Sequence, residues 1–178
     1  MIYTYEIDYD TCDADDPTEW DNIGTMVTWH GRYSLGHEQP RQEPAEWAAE
    51  FKRKHPTAVI LPLYLYDHSG ITISTSEFSC PWDSGQIGYI YTTLERVQEM
   101  GFNWERLNKN RRDQLTRYLE NDVKTYDQFL RGEVYCYKIK DSNGDIVDSG
   151  HGYYDRDDCD SVARESLEWW ERQDRKAA

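Results

Sequence analysis

Long hydrophobic runs are missing from this chain. The most extended is Ala58-Val59-Ile60-Leu61-Pro62-Leu63-Tyr64-Leu65-Tyr66, and Pro62 interrupts it. A membrane-spanning helix needs about 20 apolar residues, so none is expected. Lysine is scarce, seven against 13 arginines, and 34 acidic side chains outnumber 20 basic ones for a formal charge of −14. That balance excludes a simple nucleic-acid binder, because such affinity rests on Lys and Arg displacing counterions from phosphates. An anionic membrane surface is disfavoured on the same ground. Cysteine is sparse as well: Cys12, Cys80, Cys136 and Cys159 include no Cys-x-x-Cys pair. The spacing excludes a dense disulfide framework and implies free thiols in a reducing compartment. The opening Met1-Ile2-Tyr3-Thr4-Tyr5-Glu6-Ile7-Asp8 has no basic and no continuous apolar region, so the cytoplasm is the expected location.

What the chain has is rings. Seven Trp, 14 Tyr and four Phe make up 14% of its residues, which compensates for a hydrophobic fraction of only 38%. The 178 residues fit one domain, 1–178, with an exposed acidic loop at 10–22.

Alternation over residues 2–9 predicts a first strand, and a second is expected near Gly24 to His30. Trp47, Ala48 and Phe51, with Glu43 and Glu46 before them and Lys52, Arg53 and Lys54 after, predict a helix from Pro44 to Pro56. Residues 57–66 and 71–75 read as a hairpin turning at Ser69-Gly70, with Pro62 marking an edge, a bulge or a break. A strand at Gln86 to Tyr91 precedes a helix capped by Thr92 or Thr93 and ended by Gly101. The stripe Leu115, Tyr118, Leu119, Asp122, Val123, Tyr126 and Leu130 predicts a longer helix that stops at Gly132. Residues 133–140 and 146–147 flank Asn143-Gly144, the preferred core of a type I′ hairpin turn, and a last helix is expected from about Asp160. Hairpins mixed with isolated helices give an α+β class, an antiparallel sheet of about five to seven strands with about three or four helices.

Several residue groups bear on chemistry. His68, Cys80 and Asp83 gather around the predicted hairpin, where His68 would activate a Cys80 thiolate and Asp67 or Asp83 would orient the ring. The same strings are ordinary turn chemistry, and that is the favoured reading. His30-x6-His37 lacks a Cys-x-x-Cys partner, and Asp8 to Asp16 match no EF-hand register, so no metal and no cofactor is assigned. Arg106, Lys109, Arg111, Arg112 and Arg117 make one locally positive stretch, read as a solvated helix end. Two acidic stretches stand out: Asp10, Asp13, Asp15, Asp16, Glu19 and Asp21, then Asp155, Asp157, Asp158 and Asp160. If they share a face, their carboxylates imitate a row of phosphates.

Glu19-Trp20-Asp21-Asn22-Ile23-Gly24-Thr25-Met26-Val27, Trp29-His30, Leu61 through Gly70, Cys80-Pro81-Trp82-Asp83-Ser84-Gly85-Gln86 and Tyr126 through Tyr135 resemble a family of small acidic proteins encoded by bacteriophages and mobile elements. The likeness covers most of residues 15–140. The family has no assigned catalytic residues, so no role passes to a particular position. The resemblance implies an accessory protein of a mobile element. By analogy with acidic inhibitors of CRISPR and restriction systems, it implies a non-enzymatic DNA mimic whose partner is a basic host defence or nucleic-acid enzyme. The alternative is a small cysteine-dependent hydrolase or transferase using Cys80 and His68. A third reading takes the Asp excess, 19 against 15 Glu, as adaptation to high salt.

Overall fold

The computed structural model describes residues 2–11 and 14–177. Among them are seven strands and four α-helices, and all strand pairing within the two sheets is antiparallel, an α+β fold. The strands form two sheets, of three and four strands. Packing groups the chain into two compact units, one of residues 1–15 with 128–178 and one of residues 16–127.

In the first unit, β1 (Thr4–Tyr9), β6 (Tyr135–Lys140) and β7 (Ile146–Tyr153) form a sheet in the order β1-β6-β7. The helix α4 (Arg156–Ala177) crosses one face and contacts all three strands. Cys159 and Ala163 point into that interface against Tyr137 and Ile139, with Leu167 and Trp170 closing it. Small residues near the start of the helix let large rings of the sheet fill the layer. The predicted type I′ turn between β6 and β7 is replaced by another. Gly144 takes φ 87° but Asn143 does not share a positive φ, which a type I′ turn requires. The Asp141 carboxylate instead accepts the N–H groups of Asn143 and Asp145, at 2.8 and 3.0 Å. α4 begins at Arg156, four residues before the expected start, because Asp155 caps it.

In the second unit, β2 (Thr25–Thr28), β3 (Val59–Asp67), β4 (Ile71–Ser74) and β5 (Ser84–Thr92) run in the order β2-β5-β3-β4. Side chains alternate across this sheet. Tyr89 and Tyr91 stand on one face against Trp47 and Phe51 of α1 (Pro44–Lys54). Ile90 stands on the other, toward Leu119 of α3 (Lys109–Leu130) near Gly24. α2 (Leu94–Glu99) follows β5 at once, with Thr93 as its cap. Pro62 sits in β3 beyond the end of β4, which pairs only with Tyr64 to Asp67, and the β5 register shifts directly after, between Leu63 and Tyr64. A missing N–H is tolerated there because that flank has no ladder to complete.

Candidate functional site

The acidic stretches do not all stay in solvent. Asp10 was expected on an exposed loop and is buried instead. Its N–H extends the β1–β6 ladder to the Val134 carbonyl at 2.7 Å, which draws the side chain in. There the carboxylate accepts the Gly152 N–H at 3.0 Å, with His151 Nδ1 at 3.7 Å. Asp10 is therefore a structural tie and leaves the candidate surface. Asp13 lies outside the described residues. Asp16 accepts both the N–H and the hydroxyl of Thr18 at 2.8 Å, holding the short 3₁₀ turn Pro17–Glu19. Asp21 pairs with Arg96 at 2.5 Å, while Glu19 is exposed.

Within the first unit the remaining acids converge. The Tyr154 hydroxyl donates to the Asp15 carbonyl at 2.9 Å, so Asp15 lies against the start of the second acidic stretch. Asp155 accepts the Asp157 N–H at 2.8 Å as N-cap of α4. Carboxylates beside the first turn are favoured by the helix dipole. Asp160 accepts hydrogen bonds from the Tyr5 hydroxyl, at 2.9 Å, and from Arg164, at 2.6 Å, and the Tyr5 bond holds its carboxyl below the usual range. Asp15, Asp155, Asp157 and Asp158 stay exposed.

The helical period then adds an apolar component. Asp158, Val162, Glu165 and Trp169 fall at i, i+4, i+7 and i+11, on one stripe of α4. Val162 and Trp169 are 37% and 48% exposed, large values for such side chains. Beside them a groove of about 490 Å³ is lined by Tyr137, Asp148, Glu165, Ser166 and Trp170 as well. This unit carries 17 acidic and 8 basic side chains, a formal −9 from 66 residues, against −5 from the other 112.

The alternative site lies in the second unit, where the structure brings His68, Cys80 and Asp83 together. The order differs from a catalytic dyad. Asp83 Oδ2 lies 3.7 Å from Cys80 Sγ and 3.4 Å from His68 Nδ1, so the carboxylate stands between thiol and imidazole. The hydrogen-bond partner of the Cys80 thiol is thus the Asp83 carboxylate. Turn chemistry accounts for the rest. The Ser84 hydroxyl donates to the Cys80 carbonyl at 2.5 Å, and Ser69 takes φ 59° ahead of Gly70 in the hairpin. Cys80, Cys136 and Cys159 are free thiols.

His30 and His37 are not a pair. His37 Nδ1 accepts the Met26 N–H at 2.9 Å, and burial lowers its pKa, fixing the neutral ring. His30 Nδ1 accepts the Tyr33 N–H at 3.1 Å. Among the described residues, no group of three or more His, Cys, Asp or Glu side chains is placed to hold a metal ion. In the basic stretch, Arg112 donates to the Thr57 and Ala58 carbonyls at 2.7 and 3.3 Å, and Arg111 lies 5.1 Å from the Trp104 ring centre. Two of its five charges thus serve the start of α3.

Two features escaped the sequence reading as sites. Asp122 is a half-buried carboxyl on α3 that accepts the Gly24 N–H at 3.0 Å and, through burial, has its pKa raised to about 6. Its signal was an acid within an apolar stripe. The other is a cavity at the ends of β3 and β5, around Arg32, Asp67 and Trp82.

Among the described residues no helix is long and apolar enough to cross a membrane. No protein-family model, no curated protein and no solved structure matches the chain.

Proposed function

We propose that the protein is a non-enzymatic inhibitor carried by a bacteriophage or mobile element, of anti-CRISPR or antirestriction type. It acts in the bacterial cytoplasm by occupying the basic nucleic-acid channel of a host defence enzyme. The observation that carries this reading is the α4 stripe, which sets Asp158 and Glu165 around exposed Val162 and Trp169 beside the groove to β7. Tyr154 keeps Asp15 beside the same helix start. Aromatic anchors supply affinity in such interfaces, while the surrounding charges set on-rate and partner choice. The concentration of charge in this unit supports steering toward a basic surface.

The test is affinity capture of the tagged protein from a lysate of bacteria carrying restriction and CRISPR systems, with the bound protein identified by mass spectrometry. A basic nucleic-acid enzyme is expected, displaced by competing duplex DNA and released by salt. At about 1 M salt the screening length falls to about 3 Å, so contacts between exposed charges are largely lost. Capture that the triple variant Asp158→Asn/Glu165→Gln/Trp169→Ala leaves intact would overturn the assignment of this face.

A further inference from the structure

A second concave site lies within the unit of residues 16–127. Three segments that are distant in sequence meet there: 29–32 after β2, the end of β3 at 65–67, and 82–87, which includes the start of β5. They enclose about 500 Å³, a volume typical of small-molecule sites. Trp82 is 92% exposed at its rim, an indole that contributes nothing to the core. Gly85 lies in the lining, and a Cβ built there meets no atom within 4 Å, so the wall is bare backbone facing open space.

The polar groups are paired across the sheet. The Asp67 N–H donates to the Asp83 carbonyl at 2.8 Å, continuing the ladder beyond Tyr66 and Ser84. Directly opposed residues project to the same face, and both aspartates line the cavity. Each carboxylate already faces a basic side chain. Arg32 reaches Asp67 at 3.0 Å, where the Tyr33 hydroxyl joins it at 3.2 Å, and His68 Nδ1 lies 3.4 Å from Asp83. A phosphate therefore meets two carboxylates against a single guanidinium that is already paired with one of them. A hydroxyl group does find partners, since ion-paired carboxylates keep lone pairs and guanidinium keeps donors.

We propose that this cavity is a binding site for a neutral saccharide. The exposed Trp82 face attracts the C–H face of a pyranose ring through its electron-rich π system, while Asp67, Asp83 and Arg32 take its hydroxyls.

The test uses the intact chain and neutral oligosaccharides of defined type: maltohexaose, cellohexaose, chitohexaose and xylohexaose. Each is titrated to millimolar concentration while the indole N–H resonance of Trp82 and intrinsic fluorescence are followed. At least one saccharide is expected to shift the Trp82 resonance saturably. Trp82→Ala and Asp67→Asn should each weaken binding at least about tenfold. The exposure of Trp82 means its replacement leaves the fold intact, checked by circular dichroism. The α4 variant Asp158→Asn/Glu165→Gln/Trp169→Ala should bind the saccharide unchanged, which separates this site from the inhibitory face. Absence of a saturable shift with all four sugars would overturn the proposal. So would binding that survives Trp82→Ala, or a Trp82 response to adenosine, spermidine or inorganic phosphate in place of the sugars.

Discussion

Tyr154 and Asp15 are joined by a hydrogen bond from the phenol to the main-chain carbonyl at 2.9 Å, across 139 positions of sequence. This contact holds Asp15 beside the N-terminus of α4. Tyr154→Phe removes it and is expected to cost about 1 kcal/mol of stability. Amide exchange at Asp15 and Asp16 should accelerate. Unchanged exchange there would mean that other contacts position the segment.

Asp155 caps α4 through the Asp157 N–H at 2.8 Å, with a longer bond from the Asp158 N–H at 3.4 Å. Asp155→Ala leaves those donors without a side-chain acceptor and is expected to lower stability by about 1 kcal/mol, measured by thermal or urea unfolding. Asp155→Asn should recover most of the loss. Asp157→Asn should cost far less, since no side-chain bond of that carboxylate orders the helix.

The Asp122 carboxyl gives the fold a specific pH dependence. Burial raises its folded-state pKa from 3.8 to about 6, with the Gly24 N–H opposing the shift. Between those values the folded state holds a proton that the unfolded chain has released, so this group's contribution to stability declines as pH rises through that window. Asp122→Asn keeps an oxygen for the Gly24 N–H and removes the ionisation. Relative to the parent chain it should gain stability on the order of 1 kcal/mol between acid and neutral pH, the shift being discounted for the group's partial exposure. Parallel pH profiles of parent and variant would contradict this account of Asp122.

Gly88 tests the packing of the four-stranded sheet. It opposes Thr28 in the β2–β5 ladder, and a Cβ there would lie 2.0 Å from the Val27 carbonyl oxygen and 2.9 Å from Thr28 Cα. Backbone atoms cannot yield as a side-chain tip does. Gly88→Ala is expected to cost about 3 kcal/mol, the upper range for overpacking, read as a shift of the unfolding midpoint. Gly85→Ala, with no atom near its Cβ, should leave the midpoint almost unchanged.

Local signals in the sequence lead directly to many of these elements. The hairpin of β3 and β4 follows from the apolar segment 57–66 and the alternation at 71–75 on either side of Ser69-Gly70, and α1 from Pro44 at its start with basic residues in its last turn. Capping of α2 by Thr93 was legible in the same way. The start of α4 was obscured because Asp155, Arg156, Asp157 and Asp158 show no apolar period before Cys159. An N-cap followed by acids in the first turn was the usable signal. The division into two sheets rests on β1 pairing with β6, far along the chain, which no local pattern encodes. Burial of Asp10 depends on Gly152, 142 positions away, so its charge read as solvent-facing. Proximity of His68, Cys80 and Asp83 was legible from the hairpin. Their order was not, because it depends on side-chain directions at the mouth of a cavity formed by three separate segments.

The central claim is that the acidic, aromatic face of α4 disarms a host nucleic-acid enzyme. The most direct measurement is the plating efficiency of a phage on bacteria carrying a restriction or CRISPR system that targets it, with and without expression of this chain. The expected result is a rise of at least about a hundredfold, which is about 2.7 kcal/mol if read as a binding effect. The rise should disappear with Asp158→Asn/Glu165→Gln/Trp169→Ala and persist with Trp82→Ala. Plating that stays at the defended level across restriction and CRISPR hosts, or a rise that the α4 variant retains, would contradict the claim.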